Sequence, residues 1–231
     1  MIVLVTGIVL ILSLLIGALS FSAIPKLNKK YNEGNTEENA CEKQSDIFSL
    51  KKRKNIIIVV TALLCAVTTA LLYNKGVEMI QLTKYTIVLL SLLSVMIIDR
   101  HTHLIPNKIV LSLLGAGAIT LCIEFFVSRE TFFASLLASV VGLIVLVVMF
   151  YTLGRFTRNG IGMGDIKLIG AMGWVIGLSS TMFAILFSLI VSCIVAIILM
   201  FRKQKDKDDK IPFGPFMFFG YIILLSLIWG L

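Results

Sequence analysis

The chain has 231 residues, of which 58% are apolar and only 15% are charged, and its mean hydropathy is +0.99. These values exclude an ordinary soluble domain, so most side chains must face lipid or other helices. The net charge of +8 comes from basic residues that cluster between apolar segments, as in membrane topology, and it predicts no nucleic-acid partner.

Charge-poor stretches fill most of the chain. The hydrocarbon core of a bilayer is about 30 Å thick and needs about 20 apolar residues per helical crossing. The stretches lack the alternation of barrel strands, and a helix satisfies its own backbone in lipid. The predicted fold is therefore all-α, a polytopic integral membrane helical bundle. It has about eight crossings, at 2–23, 55–73, 85–98, 108–127, 132–153, 166–178, 181–201 and 213–231. The shortness of 85–98 and 166–178 leaves six or seven possible.

The N-terminal part, residues 1–84, is predicted to hold two spans and the long loop 24–54. No basic region precedes the first apolar run, so we expect an uncleaved first span. The loop mixes basic and acidic residues and is expected to be a partly disordered connector. Residues 85–231 form the second predicted domain.

The basic residues predict the orientation. Of the 21 lysines and arginines, only Lys75, Lys84 and Arg129 fall in the loops on one side, which leaves eighteen on the other. Basic residues in short loops stay in the cytoplasm. The chain is therefore predicted to be a multi-pass protein of the cell membrane. Its basic loops, 24–54, 99–108, 155–167 and 202–210, are cytoplasmic, and both termini lie outside.

Three acidic residues lie at or near membrane depth: Asp99, Glu124 and Asp165. A carboxylate beside hydrocarbon is costly, so an ionisable residue there is a functional candidate by default. Glu124 lies near the external end of its span, and a structural or snorkelling role is expected for it. Asp99 and Asp165 are the remaining candidates.

Asp99 closes one predicted span and begins a short polar segment that ends at Pro106 and Asn107. This Pro-Asn pair predicts the start of the next helix, because Asn caps free backbone donors. A surface aspartate paired with Arg100 or a lysine is the alternative. His101 and His103 suggest a metal site with Asp99, but the cytoplasmic loops offer no further ligand cluster, so no metal is predicted.

Asp165 follows a glycine-rich segment with glycines at 160, 162 and 164. Glycine allows a second backbone to approach closely, so this turn could place the carboxylate against an extended peptide. The alternative is a flexible turn in which Asp165 only caps a helix. A phosphate loop is excluded because the required Gly-Lys-Ser/Thr sequence is absent.

Both aspartates fall at the cytoplasmic edge of predicted spans, and therefore at the same depth. Two carboxylates a few ångströms apart cannot both ionise easily, so one keeps a proton. The pair can then act as base and acid on one water molecule. This is the chemistry of peptide hydrolysis by aspartates.

Three stretches resemble the type IV prepilin peptidases, intramembrane aspartyl proteases with a Gly-x-Gly-Asp motif. They are Asp99 with Ile105-Pro-Asn107, then Gly162-Met-Gly-Asp-Ile-Lys167, and finally Ile211-Pro-Phe-Gly-Pro-Phe216. The resemblance covers residues 85–231. It implies that Asp99 and Asp165 are the catalytic pair. The other residues expected to bind substrate or shape the site are Gly162, Gly164, Lys167, Pro106, Asn107, Pro212 and Gly214.

The resemblance also implies an activity, an aspartic endopeptidase that needs no cofactor or metal. Its partners would be membrane lipid and prepilin or pseudopilin substrates, whose short basic leader is removed on the cytoplasmic side. Longer members carry paired Cys-x-x-Cys motifs, associated with N-methylation, in the first cytoplasmic loop. Loop 24–54 has only Cys41, too few ligands for that zinc site, so methyltransferase activity is left open. The oligomeric state is left open.

Two other classes of function are compatible with lone membrane carboxylates. In an ion-coupled transporter they would serve as proton relays near the midplane, often in two related halves. In a non-catalytic scaffold, loss of either aspartate would be tolerated. The position of both aspartates at one face favours the peptidase.

Overall fold

A computed structural model describes residues 78–102, 104–127, 129–157, 161–201 and 213–230. This part of the chain is all-helical, as predicted. Its helices are α1 (Met79–Thr102), α2 (Asn107–Val127), α3 (Arg129–Phe156), α4 (Met163–Phe201) and α5 (Gly214–Gly230). The predicted spans 2–23 and 55–73, the loop 24–54 and the segment 202–210 lie outside the described residues.

Four of the described helices are long and apolar enough to cross a membrane. Their apolar segments run over Ile80–Arg100, Asn107–Val127, Arg129–Phe156 and Met163–Phe201, and a shorter apolar segment covers Gly214–Ile228. A segment of 21 residues rises about 31 Å, which matches the thickness of the hydrocarbon core. The described residues therefore form a membrane helical bundle, whereas the total of about eight crossings stays a prediction.

The sequence pattern predicted the start of one helix correctly and the start of another incorrectly. Helix α2 begins at Asn107, as the Pro-Asn pair predicts, and the Ile109 amide donates to the Pro106 carbonyl over 3.0 Å. Helix α1 begins at Met79, six residues earlier than the predicted span 85–98. The assignment of Lys84 to an external loop was therefore wrong, because this residue lies inside α1.

Helix α1 is the centre of the bundle. In its most apolar stretch 72% of the residues are buried, compared with 17% for α3 and 17% for α4. The core lies where α1 meets α2, α4 and α5 and includes Ile87, Leu92, Ile109, Leu113, Met172, Met217 and Leu225. Tyr221 on α5 is fully buried and donates its hydroxyl to the Tyr85 carbonyl on α1 over 2.9 Å. Within the described residues, the outer helices α3 and α4 leave many large apolar side chains exposed.

Small residues allow α3 and α4 to pack closely. A Cβ atom added at Gly142 would lie 2.5 Å from the carbonyl oxygen of Gly173, and one added at Gly173 would lie 2.6 Å from Leu146. Packing of small residues drives helix association in lipid, where the hydrophobic effect cannot. Any larger side chain at this contact would force the helices apart.

Helix α4 breaks at Gly177, whose φ of +79° and ψ of 173° lie outside the helical range. Its first segment starts at the aspartate end, where Gly164 contacts Ile105. Ser180 contacts Tyr85, which lies 14 residues from Asp99 along α1. Ser188 then contacts Gly220, only six residues into α5, whose first residue contacts Asp99.

The chain therefore turns back towards the aspartate end after Gly177. The two predicted spans 166–178 and 181–201 correspond to the segments on either side of this glycine. A left-handed φ favours glycine, so the reversal depends on residue 177 having no side chain.

Candidate active site

Asp99 lies in the last turns of α1 and is only 6% exposed. Its Oδ2 atom accepts a hydrogen bond of 2.7 Å from the backbone N–H of Gly214. Gly214 is the first residue of α5, and the first N–H groups of a helix have no partner within the helix. The helix N-terminus is also the positive end of its dipole, so the contact stabilises a carboxylate at this position.

Residue 214 leaves no room for a side chain. A Cβ atom built on Gly214 would lie 2.8 Å from Oδ2 of Asp99 and 3.0 Å from its Cβ. Real Cβ atoms essentially never come closer than 3.0 Å to another heavy atom. Glycine therefore sets the distance between the end of α1 and the start of α5.

Asp165 lies in the first turn of α4 and is partly buried. A Cβ atom built on Gly162 would lie 2.9 Å from its Oδ2, and one built on Gly164 would lie 3.1 Å from the Cβ of Ile105. Both glycines of the Gly-x-Gly-Asp sequence therefore occupy close contacts. Gly162 lets the Asp165 carboxylate lie against its backbone, and Gly164 lets α4 pack against the segment between α1 and α2.

The fold brings the two aspartates together from distant parts of the sequence. Asp99 and Asp165 are 66 residues apart in the chain, and their carboxyl groups are close enough to repel each other electrostatically. One lies at the end of α1 and the other at the start of α4, so both are at the same end of the bundle. Neighbouring carboxyl groups are able to share one proton and to exchange it with a bound water molecule.

The other predicted site residues lie at this same end of the bundle, with one exception. Lys167 Nζ donates to Oδ1 of Asn107 over 3.4 Å, and this contact joins the first turns of α4 and α2. Both side chains are exposed, whereas Pro106 beside them is buried. Pro212 lies outside the described residues. Lys167 and Asn107 therefore form a polar rim near the aspartates.

Within the described ranges, no group of three or more His, Cys, Asp and Glu residues could hold a metal ion. His103 and the side chain of His101 lie outside what the structure describes, so the expected absence of a metal stays a prediction.

Glu124 has a structural position and does not snorkel. It is 5% exposed, and it accepts hydrogen bonds from Lys84 Nζ at 2.7 Å and from the Ser135 hydroxyl at 2.6 Å. Lys84 was missed by sequence reasoning, because it was assigned to a loop. The available signal was a single basic and a single acidic residue, each near the external end of a predicted span.

The fold and the site together define an integral membrane protein with a pair of aspartates at one end of a helical bundle. The sequence profile of the type IV leader peptidase family matches residues 86–200. Through these residues, which include both aspartates, the chain belongs to that family. No solved structure matches the chain.

Curated relatives carry the name prepilin leader peptidase/N-methyltransferase. The protein from Legionella pneumophila is 30% identical over 151 residues, which cover 65% of this chain and 51% of that protein. The Pseudomonas aeruginosa protein is 31% identical over 142 residues, covering 61% and 47%. The Bacillus subtilis protein is 29% identical over 145 residues, covering 62% and 55%. The chain thus spans about half the length of the curated relatives it matches.

Proposed function

We propose that this chain is an aspartic endopeptidase of the cell membrane that removes the leader from type IV prepilins or prepilin-like proteins. The observation that carries the proposal is the position of Asp99 and Asp165 at the same end of the bundle, close enough to repel each other and within the part that matches the family. The names of the relatives supply the substrate class. The neighbouring carboxyl groups support the aspartic chemistry.

The proposed reaction is attack by water on the scissile peptide carbonyl. One carboxylate accepts a proton from the water, and the protonated carboxyl of the other polarises the carbonyl and later protonates the departing amine. The hydrogen bond from Gly214 to Asp99 holds one of the two groups in a fixed orientation. Such orientation is a large part of catalysis, because the reacting atoms must lie within about 3.5 Å of one another.

A peptide substrate needs space for an extended backbone beside the aspartates. Met163, two residues before Asp165, is 59% exposed, and Gly162 beside it carries no side chain that would cover the carboxyl group. Lys167 and Asn107 at the rim offer an ammonium and an amide to backbone carbonyls of the substrate. We infer that the leader crosses this rim in an extended form and that its cut site lies between the carboxyl groups.

The proposed orientation places the site at the cytoplasmic face. Eighteen of the 21 basic residues fall in loops on the aspartate side by the predicted topology. A leader rich in lysine or arginine stays in the cytoplasm by the same rule. Substrate and site would therefore meet on one side of the membrane.

The alternative of an ion-coupled transporter has less support. Transporter carboxylates are expected near the midplane of the bilayer, often at broken helices. Asp99 lies near the last residue of α1 and Asp165 near the first of α4. The helix break at Gly177 is 12 residues away from Asp165.

The direct test is cleavage by the purified full chain in detergent. The substrate would be a full-length prepilin, and the comparison would be the same protein with a mutated leader junction. We expect a single cut at the leader junction, located by mass spectrometry of the product. No cut in any of several prepilin-like substrates, together with ion flux in liposomes, would replace the peptidase by the transporter.

A further inference from the structure

A polar cavity of about 240 Å³ lies at the far end of the bundle from the aspartates. Its polar lining comes from three helices: Gln81, Lys84 and Tyr85 on α1, Ser135 and Ser139 on α3, and Ser180 on α4. Lys84 is 15 residues from Asp99 along α1, a rise of about 22 Å. The cavity is thus separate from every residue placed in the proposed peptidase site.

The reversal of α4 accounts for this space. Gly177 lies opposite Ala138, nine residues into α3, so α3 continues about 14 Å beyond the point where α4 turns back. Gly177 and Ala138 both line the cavity. It is therefore a hollow between α1 and α3, closed on the aspartate side by the turn of α4.

The cavity has more hydrogen-bond donors than the described residues satisfy. Lys84 is 8% exposed, and within the described ranges it gives one hydrogen bond, to Glu124, although an ammonium group has three N–H donors. Ser139 is 3% exposed as a residue, and its hydroxyl has no hydrogen-bond partner among the described residues. Both oxygens of Glu124 are already taken, by Lys84 and Ser135. Buried donors without acceptors are costly, so these groups require a ligand or water.

The missing group must be rich in hydrogen-bond acceptors. The charge of Lys84 is balanced by Glu124, but two of its N–H donors and the Ser139 hydroxyl have no acceptor among the described residues. Gln81 adds an amide donor to the lining, whereas the Tyr85 and Ser180 hydroxyls pair with each other over 3.4 Å. A phosphate oxygen forms short, strong hydrogen bonds with an ammonium group. The volume is below the roughly 300 Å³ at which pockets begin to hold drug-sized ligands, so it suits a small head group.

The surroundings favour a lipid over a free anion. Leu137, next to Ala138 on α3, is 66% exposed, and Phe183, one turn beyond Ser180 on α4, is 55% exposed. An acyl chain can contact these apolar side chains while its head group enters the hollow. We propose that the cavity binds the phosphate group of a phospholipid from the leaflet opposite the aspartates. This site is independent of the proposed peptidase activity.

Thermal unfolding of the delipidated full chain in detergent tests the proposal. Phosphatidylglycerol should raise the unfolding temperature, because a ligand that binds only the folded state stabilises it. A diacylglycerol with the same acyl chains but no phosphate should not. An equal rise with inorganic phosphate alone would support the anion site and make free phosphate its occupant. No rise with either phosphate compound, or an equal rise with diacylglycerol, would overturn it.

Variants of residues that line the cavity test whether the stabilisation by lipid arises from binding there. Ser139→Leu fills the space and removes one donor, and the lipid concentration for half the shift should rise on the order of tenfold, as for loss of one hydrogen bond to a charged group. Ser226→Leu makes the same change on an exposed part of α5 and should leave the response unchanged.

Loss of Lys84 alone would leave Glu124 buried and unpaired, so that variant is expected to unfold. The double variant Lys84→Met with Glu124→Leu removes both charges and keeps apolar packing. It should fold and lose the response to lipid. A wild-type response in both the double variant and Ser139→Leu would exclude the cavity as the lipid site.

Discussion

Gly214 donates its backbone N–H to Oδ2 of Asp99 over 2.7 Å, although the two residues are 115 positions apart. The contact joins the end of the central helix to the start of the last helix. It makes the position of one proposed catalytic carboxylate depend on a residue outside the range that matches the family, 86–200.

Substitution of this glycine should therefore impair catalysis. In Gly214→Ala the new Cβ would lie 2.8 Å from Oδ2 of Asp99, so the carboxylate must move. A displacement of about 1 Å in an active site can lower the rate on the order of a hundredfold. We expect a loss of that size in kcat for prepilin cleavage, with little change in KM.

Gly115→Ala is the matched control for that experiment. Gly115 lies in the middle of α2, and nothing is within 4 Å of the position that its Cβ would take. This variant should cleave at the wild-type rate. Wild-type kcat in Gly214→Ala would show that the contact with Asp99 does not position the reacting groups.

Removal of either proposed catalytic carboxylate should abolish cleavage. Asp99→Asn and Asp165→Asn keep the shape of the side chain but cannot exchange a proton with water, and the mechanism needs both an acid and a base. The measurement is leader removal by each purified variant, with membrane insertion checked by fractionation. Glu130→Gln, the same chemical change on the exposed first turn of α3, should remain active. Near-normal cleavage by either Asn variant would remove that aspartate from the mechanism.

Cleavage should not depend on a metal ion. Loop 24–54 has only Cys41, and the described residues contain no cluster of three or more possible ligands. A chelator should leave the rate unchanged, and so should replacement of His101 and His103 together by Ala. Loss of activity that returns on addition of zinc would contradict this expectation and point to the Asp-x-His-x-His sequence.

The predicted topology can be checked by thiol labelling in intact cells. Single cysteines at positions 35, 103, 158 and 206 of a cysteine-free variant should be shielded from a membrane-impermeant reagent. Cysteines at positions 77 and 129 should react, because these positions fall on the external side. Labelling at both 103 and 158 would place the aspartates outside and exclude cleavage of a cytoplasmic leader.

The sequence predicted the features of the structure that depend on residues close together in the chain. The Pro106-Asn107 pair predicted the start of α2, because capping is a matter of adjacent residues. The distribution of basic residues placed Asp99 and Asp165 at the same depth, and the structure has them at the same end of the bundle. Local signals thus predicted the helical fold and the proposed aspartate pair.

Contacts between residues that are far apart in the chain could not be predicted from the sequence. In the sequence, Lys84 marks the end of an apolar run. Inside the bundle its charge is neutralised by Glu124, which lies 40 residues later in the chain. The hydrogen bond from Gly214 to Asp99 also depends on how two helices meet. A single sequence does not show which helices are neighbours, so neither pair was predicted.

The turn of α4 at Gly177 has a consequence for how the bundle spans the membrane. The segment 163–176 has 14 residues and rises about 21 Å, roughly 9 Å less than the hydrocarbon core. The first segment of α4 is therefore too short to cross the hydrocarbon core by itself, and α3 extends beyond it. The close contact of Gly142 with Gly173 holds this short segment against α3, so a larger side chain at either position would open a gap between the two helices inside the membrane.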